Sequence, residues 1–221
     1  MADYNINLNS NSFEEAVKFL ISNYEVDEVI ETGTFNGLGS TTVFAKTNKK
    51  VISVESCFNN FFAAKDNLKN YLNVELMYGS SLSIDEMVDF IDNDNIYTSN
   101  EVINKQIMID GDESNQMKDF YKHEITGWGY GKPNSENLLI DLINNDKKQI
   151  VFLDSAGGVG YLEFKKFMSI SDEFKKNKIL LLDDVSHVKH FRSVQDLLAL
   201  NYKVTISEDK RFAYCIFTNE L

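Results

Sequence analysis

The stretch Val29-Ile30-Glu31-Thr32-Gly33-Thr34-Phe35-Asn36-Gly37-Leu38-Gly39-Ser40-Thr41 sets the reading of the whole chain. A short apolar strand over 26–31 ends in a carboxylate, three glycines follow in a turn, and a helix begins at Ser40 or Thr41. Glycine reaches dihedrals closed to other residues and lets a ligand approach the backbone. A helix that starts after such a turn offers unpaired N–H groups to an anion. The acid at the strand end, Glu31, can bear on a cationic group, directly or through water. A dinucleotide turn would read G-x-G-x-x-G, whereas the glycines here are spaced G-x-x-x-G-x-G. A purely structural glycine turn is the plain alternative.

Working outward, strand and helix patterns alternate. Upstream, Ser12 and Glu15 have capping-box spacing, and Phe13, Ala16, Val17, Leu20 and Ile21 fall on one helical face. Downstream come a strand over 51–55, a helix over 59–72 with Phe61, Leu68 and Leu72 on one side, and a strand over 74–78. A second capping box, Ser83 with Glu86, precedes Ile84, Met87, Val88 and Ile91. The polar segment 93–135 interrupts the rhythm; it holds Trp128, Tyr130 and the only proline, Pro133. It is read as an insertion capping the open end of the sheet, because long connections in compact domains tend to be functional. Helices near 135–145, 160–168 and 188–199 then alternate with strands over 150–154 and 178–184, and strands over 202–207 and 211–218 close the chain as a hairpin. This alternation predicts an α/β, Rossmann-like three-layer sandwich: a mostly parallel seven-stranded sheet with an antiparallel C-terminal hairpin strand.

The 221 residues suit one domain spanning 1–221 with an insertion. The formal net charge of −12 disfavours a phosphate backbone as partner, so nucleic acid is not expected. No apolar run approaches a membrane span, the N-terminus lacks a signal-peptide pattern, and Cys57 and Cys215 alone do not suggest a disulfide framework. The expectation is a cytoplasmic protein without a membrane partner; a homo-oligomer is compatible with the sequence.

Further candidate residues stand at the strand ends. Glu55 closes the second strand, where an acid can accept both hydroxyls of a ribose. Gly79-Ser80-Ser81 follows the third strand, and Ser80 or Ser81 could hydrogen-bond a nucleobase. Asp154 ends the fourth strand and Asp183-Asp184 the fifth. Ligands of open α/β sheets bind beyond the carboxyl ends of the strands, so these three acids are expected on one rim. They would repel one another without a cation between them, which suits magnesium (Mg²⁺). Each has a plain alternative as a helix cap or solvated acid. His187 and His190 follow the pair, and His187, nearer the strand end, is the preferred general base.

The order of these motifs resembles class I S-adenosylmethionine-dependent methyltransferases over nearly the whole chain, and among them the bacterial small-molecule O-methyltransferases of macrocin and cephalosporin-biosynthesis type. The resemblance implies S-adenosylmethionine as cofactor, its methionine part at Glu31, Gly33, Thr34, Phe35, Gly37, Gly39 and Ser40, its ribose at Glu55 and its adenine near Ser80 and Ser81. It implies Mg²⁺ at Asp154, Asp183 and Asp184, with Asp154 and His187 as catalytic residues and a small-molecule hydroxyl, such as one on a sugar, as acceptor. Trp128 and Tyr130 would shape the acceptor pocket. The chain departs from the pattern after the fourth strand, where Leu153-Asp154-Ser155-Ala156-Gly157-Gly158 replaces the usual Ile-Asp-Gly-Asp-His. A closer match in wording, Ile109-Asp110-Gly111-Asp112, lies inside the insertion and is rejected as the fourth strand. A non-catalytic binding module and an NAD-linked oxidoreductase stay open as alternatives.

Overall fold

The computed structural model describes residues 13–110, 114–127, 132–133 and 135–217. Strands β1 (Glu28–Thr32), β2 (Lys50–Glu55), β3 (Val74–Tyr78), β4 (Gln149–Leu153), β5 (Lys178–Asp183), β6 (Val204–Ile206) and β7 (Phe212–Ile216) form one sheet, in the order β3-β2-β1-β4-β5-β7-β6. Strands β1 to β5 pair in parallel, and β7 runs antiparallel to both β5 and β6. The expected fold and all seven strands are present. The rejected segment at Ile109-Asp110 is not a strand of this sheet, and β4 lies where the sequence puts it.

Alternation of side chains across each strand builds two cores. Val29, Val51, Ile150, Phe152, Ile179 and Leu181 pack on Val17 and Leu20 of α1 (Phe13–Asn23) and Phe44 of α2 (Ser40–Ala45). Ile30, Ile52, Val151, Leu153, Leu180 and Leu182 face the opposite layer. That layer includes Ile91 of α4 (Ile84–Asn93), Leu139 of α7 (Leu138–Ile143), Phe164 and Phe167 of α8 (Gly160–Met168) and Leu197 of α10 (Phe191–Ala199). Helix α3 (Phe58–Asn67) links β2 to β3, and the short α9 (Asp172–Lys175) precedes β5.

Strand order reverses between β1 and β4, so a crevice opens at their carboxyl ends. Register levels that rim: Thr32 pairs with Val54 on one side and Leu153 on the other. Gly33, Glu55 and Asp154 therefore leave the sheet side by side.

Several local expectations change. Ser12 lies outside the described residues. Ser83 occupies the N-cap of α4 without a side-chain cap bond. Instead the Ile84 amide donates to Glu136 Oε2 at 2.9 Å, and Glu86 pairs with Lys166 at 2.6 Å. Helix α3 stops at Asn67, and Leu72 is exposed rather than packed. The insertion holds a 3₁₀ turn (Ile96–Thr98), α5 (Asn100–Ile103) and α6 (Ser114–Thr126). Its Tyr97, Val102, Ile107, Met117, Tyr121 and Ile125 belong to the main core, so it is built into the domain as well as over it. Trp128 and Tyr130 fall outside the described residues. Among the described residues no helix is long and apolar enough to cross a membrane.

Candidate active site

A cavity of about 400 Å³ occupies the crevice, within the size range of small-molecule sites. Gly33 and Phe35 line it from the β1 loop, Glu55, Ser56 and Cys57 from the end of β2, and Gly79, Ser80 and Ser81 from the end of β3. Asp154, Ser155 and Ala156 line it from the end of β4, and His123, Glu124, Ile125 and Gly127 close over it from α6 and the residue after it. The sequence brings Gly33, Phe35, Glu55, Ser80, Ser81 and Asp154 to this one place.

Two glycines make the approach possible. A Cβ on Gly33, at φ +83°, would stand 2.2 Å from the Asp154 carbonyl oxygen, so only glycine lets the β1 and β4 loops pass this closely. A Cβ on Gly79 would strike Leu138 Cδ1 at 2.4 Å. Beside it, Ser80 donates its amide to Ser135 O, and the Leu138 and Leu139 amides donate to Ser80 O and Ser81 O.

Glu55 is the best-prepared polar group of the cavity. The Phe35 amide donates to Oε2 and the Cys57 amide to Oε1, both at 2.7 Å. Phe35 adopts φ +51° to make its bond, a conformation a non-glycine residue holds only when its surroundings fix it. Burial raises the Glu55 pKa to about 7, against the pull of these amides. The Ser56 amide adds a third, smaller pull on the carboxylate; with about four lone-pair positions in all, it keeps acceptor capacity for a ligand hydroxyl.

The glycine loop divides its labour differently from the sequence reading. Glu31 is fully buried and accepts Ser40 Oγ at 2.5 Å and Thr41 Oγ1 and Ser53 Oγ at 2.6 Å. It does not reach the cavity, so its expected contact with a cationic ligand is corrected: it ties the tip of β1 to α2 and β2, and Ser40 serves this tie. Burial raises its pKa, with the three hydroxyls opposing. Thr34 is also turned inward, its Oγ1 2.6 Å from Ser53 Oγ. Gly37, at φ +77°, faces α3, where a Cβ would meet Leu68 Cδ1 at 2.6 Å. Gly39 is the N-cap of α2 and, like Gly37 and Ser40, does not line the cavity.

At the other end of the cavity, Asp154, Asp183 and Asp184 do converge, but a side chain stands among them. Lys189 Nζ lies 2.5 Å from Asp154 Oδ1, 3.6 Å from Asp183 Oδ2 and 4.0 Å from Asp184 Oδ2. Arg211 Nε adds contacts of 3.4 Å to Asp183 and 3.5 Å to Asp184. The expected Mg²⁺ ligand set does not fit: the position a metal would need is taken by an ammonium, and among the described residues no cluster has the makings of a metal site. Burial raises the Asp154 pKa well above the usual carboxylate range, with Lys189 opposing and Asp183 reinforcing. For Asp183 burial works the same way, but Lys189, Asp154 and Arg211 outweigh it and leave its pKa lowered.

His187 also differs from expectation. Its Nδ1 accepts the Lys189 amide at 3.2 Å, which assigns the ring proton to Nε2. Nε2 faces Asp110 Oδ2 at 3.2 Å and Tyr121 Oη at 3.3 Å. Both nitrogens are committed and the ring does not line the cavity, so His187 is corrected from general base to tether: it fastens the insertion to the end of β5, beside the Met108–His187 bridge. Burial lowers its pKa. His190, wholly buried, contacts Ser193 Oγ and Leu153 O, and burial pushes its pKa down to about 3.

Three side chains at or beneath the cavity escaped the sequence reading. Glu124 lines the cavity from α6, and its pKa is raised to about 7, chiefly by partial burial and then by Asp110, with Lys189 and the Gly157 amide opposing. Glu163 is buried under the rim, where Thr32 Oγ1 donates to Oε2 at 3.1 Å; burial raises its pKa. Its signal was present, since it stands four residues from both Val159 and Phe167 on an apolar helix stripe. Lys189, set between two histidines, gave none.

No protein-family model and no curated sequence matches the chain. Among solved structures it is similar to an O-methyltransferase from Bacillus cereus in complex with SAH, the demethylated cofactor product, at 12% identity and TM-score 0.47, covering 97% of this chain and 84% of that one. A precorrin-6y C5,15-methyltransferase from Geobacter metallireducens shares 12% identity at TM-score 0.46, covering 91% and 84%. A METTL16 methyltransferase domain shares 11% at TM-score 0.49, covering 99% and 84%. The strand order β3-β2-β1-β4-β5-β7-β6, parallel but for β7, is a Rossmann-like α/β sheet closed by an antiparallel C-terminal hairpin strand.

Proposed function

We propose that the chain is an S-adenosylmethionine-dependent methyltransferase acting on a hydroxyl of a small molecule such as a sugar. The observation that carries this reading is Glu55, held inside the cavity by the Phe35, Cys57 and Ser56 amides with acceptor capacity left toward the cavity. A carboxylate acceptor there fits the hydroxyls of a ribose diol. Gly33 leaves bare backbone for the amino-acid end, and Ser80 and Ser81 border the space for the base. Bound there, the cofactor supplies an electrophilic methyl group on a sulfonium.

The chain's own residues have the remaining tasks. α6 covers the cavity, excludes water and holds the acceptor near the methyl, which is where much of the rate arises. Glu124, near neutrality in pKa and facing the cavity, accepts the hydroxyl proton. Asp154, fixed by Lys189, orients that hydroxyl. No step passes through a metal.

Calorimetry with SAH and, separately, NAD tests the cofactor; binding of SAH alone is expected, and binding of NAD alone overturns the reading. Transfer of labelled methyl to a panel of sugars and phenols then separates an enzyme from a binding module. In that assay Glu124→Gln lowers kcat by about 10²–10⁴-fold while SAH affinity holds.

A further inference from the structure

The rim that suggested a metal contains its own cation. Lys189 leaves the β5–α10 connection with its side chain 6% exposed, and its ammonium reaches Asp154, Asp183 and Asp184 together. The slot is shaped for it: a Cβ on Gly160 would meet Lys189 Cγ at 2.5 Å and the Lys189 carbonyl at 2.9 Å, so α8 begins with glycine where the lysine stem runs. The neighbouring His187 ring fixes the same backbone by accepting the Lys189 amide. A magnesium ion binds oxygen at about 2.0–2.1 Å with near-octahedral demands, and the nearest carboxylate oxygen is already bonded to Nζ.

We propose that Lys189 is the permanent counter-cation of this rim, a positioning residue that holds Asp154 at the acceptor end of the cavity and makes the chain independent of divalent metal. The half concerning the acceptor rests on the methyltransferase reading; the half concerning the cation does not. One positive charge fixed covalently does what an exchangeable ion would do, gathering acids that would otherwise separate.

The test is a Mn²⁺ titration followed by electron paramagnetic resonance, on the full chain and on Lys189→Met. The wild-type chain is expected to take up no stoichiometric Mn²⁺, and its thermal midpoint to be the same in EDTA and in excess Mg²⁺. Lys189→Met leaves the carboxylates facing Arg211 alone; it should bind Mn²⁺ at least about tenfold more tightly than wild type, with its lowered midpoint restored by the metal, and Lys189→Met,Asp154→Asn should lose that gain. Where transfer is measurable, EDTA leaves the wild-type rate unchanged and Mn²⁺ partly rescues Lys189→Met, which a merely structural lysine would not allow. One equivalent of Mn²⁺ bound by wild type and lost in Asp154→Asn overturns the proposal, as does a Lys189→Met midpoint equal to wild type. If Lys189→Met does not fold, the wild-type titration and the EDTA comparison decide. SAH binding is read separately, so failure of the cofactor reading leaves this result intact.

Discussion

Glu55 shows how much one residue's surroundings decide. Its place at the end of β2 was legible from strand periodicity; its amide bonds and its pKa of about 7 were not, because Phe35 reaches it only through a left-handed backbone turn. Ribose hydroxyls would donate to the ionised carboxylate, so binding must draw a proton off Glu55 below neutrality. SAH affinity should therefore strengthen as pH rises toward about 7 and level off above it. Calorimetry in buffers of different ionisation enthalpy should show proton release at pH 6; a pH-independent affinity would contradict this role. Glu55→Gln loses charge-assisted bonds of about 1.5–3 kcal/mol, or roughly 10–150-fold in affinity, and its pH dependence with them. Glu31 and His187 teach the opposite lesson. Their residue types suit a site, but partners distant in sequence, Ser53 for one and Asp110 for the other, consume their polar atoms. Periodicity carries no trace of such pairings.

At the scale of elements, the glycine loop is a hinge between packing and binding. Gly33 meets rigid backbone at Asp154, while Gly37 meets the flexible end of Leu68. Gly33→Ala should thus cost roughly 3 kcal/mol or more, through overlap and strain, and Gly37→Ala roughly 1–2 kcal/mol, both read from urea unfolding. Equal costs would mean that the two loops do not meet as described. The insertion was legible only as an interruption. Its 3₁₀ turn and four-residue α5 are too brief for a period to show, and in the 13-residue α6 the buried stripe Met117, Tyr121 and Ile125 is sparse among polar residues; Tyr97 and Tyr121 are fully buried. Arg192 anchors it, with a two-pronged ion pair to Asp94 and its guanidinium 4.0 Å over the Tyr161 ring. Arg192→Ala should speed amide exchange across α5 and α6 while β1 to β5 keep their protection; unchanged exchange in α6 would show that the anchor contributes nothing.

Across the whole molecule, the sheet was readable because strands buried on both faces are nearly continuous apolar runs, as in Ile150-Val151-Phe152-Leu153 and Ile179-Leu180-Leu181-Leu182. The rim was half readable, since its acids are visible in sequence and its cation is not. That rim also shapes the pH response. Glu31, Glu55, Glu124, Asp154, Glu163 and Asp184 all have raised pKa values, so above the unfolded values of 4.5 for Glu and 3.8 for Asp the folded chain holds more protons than the unfolded one, for Glu55 and Glu124 up to about 7. Stability from these groups is present at low pH and is lost as pH rises through that window. His187 and His190, lowered, act in the opposite sense up to about 6.5 but are outnumbered. The thermal midpoint of the free chain should fall from pH 5 to 7.5, and Glu55→Gln should flatten the fall; a midpoint that climbs steadily over this range would contradict the assignment.

The central claim concerns where a cofactor lies, and a crystal structure of the chain with SAH tests it most directly. The account predicts both ribose hydroxyls within hydrogen-bond distance of Glu55, the amino-acid end over Gly33 and the base beside Ser80 and Ser81. SAH bound elsewhere, or with its ribose away from Glu55, would contradict it.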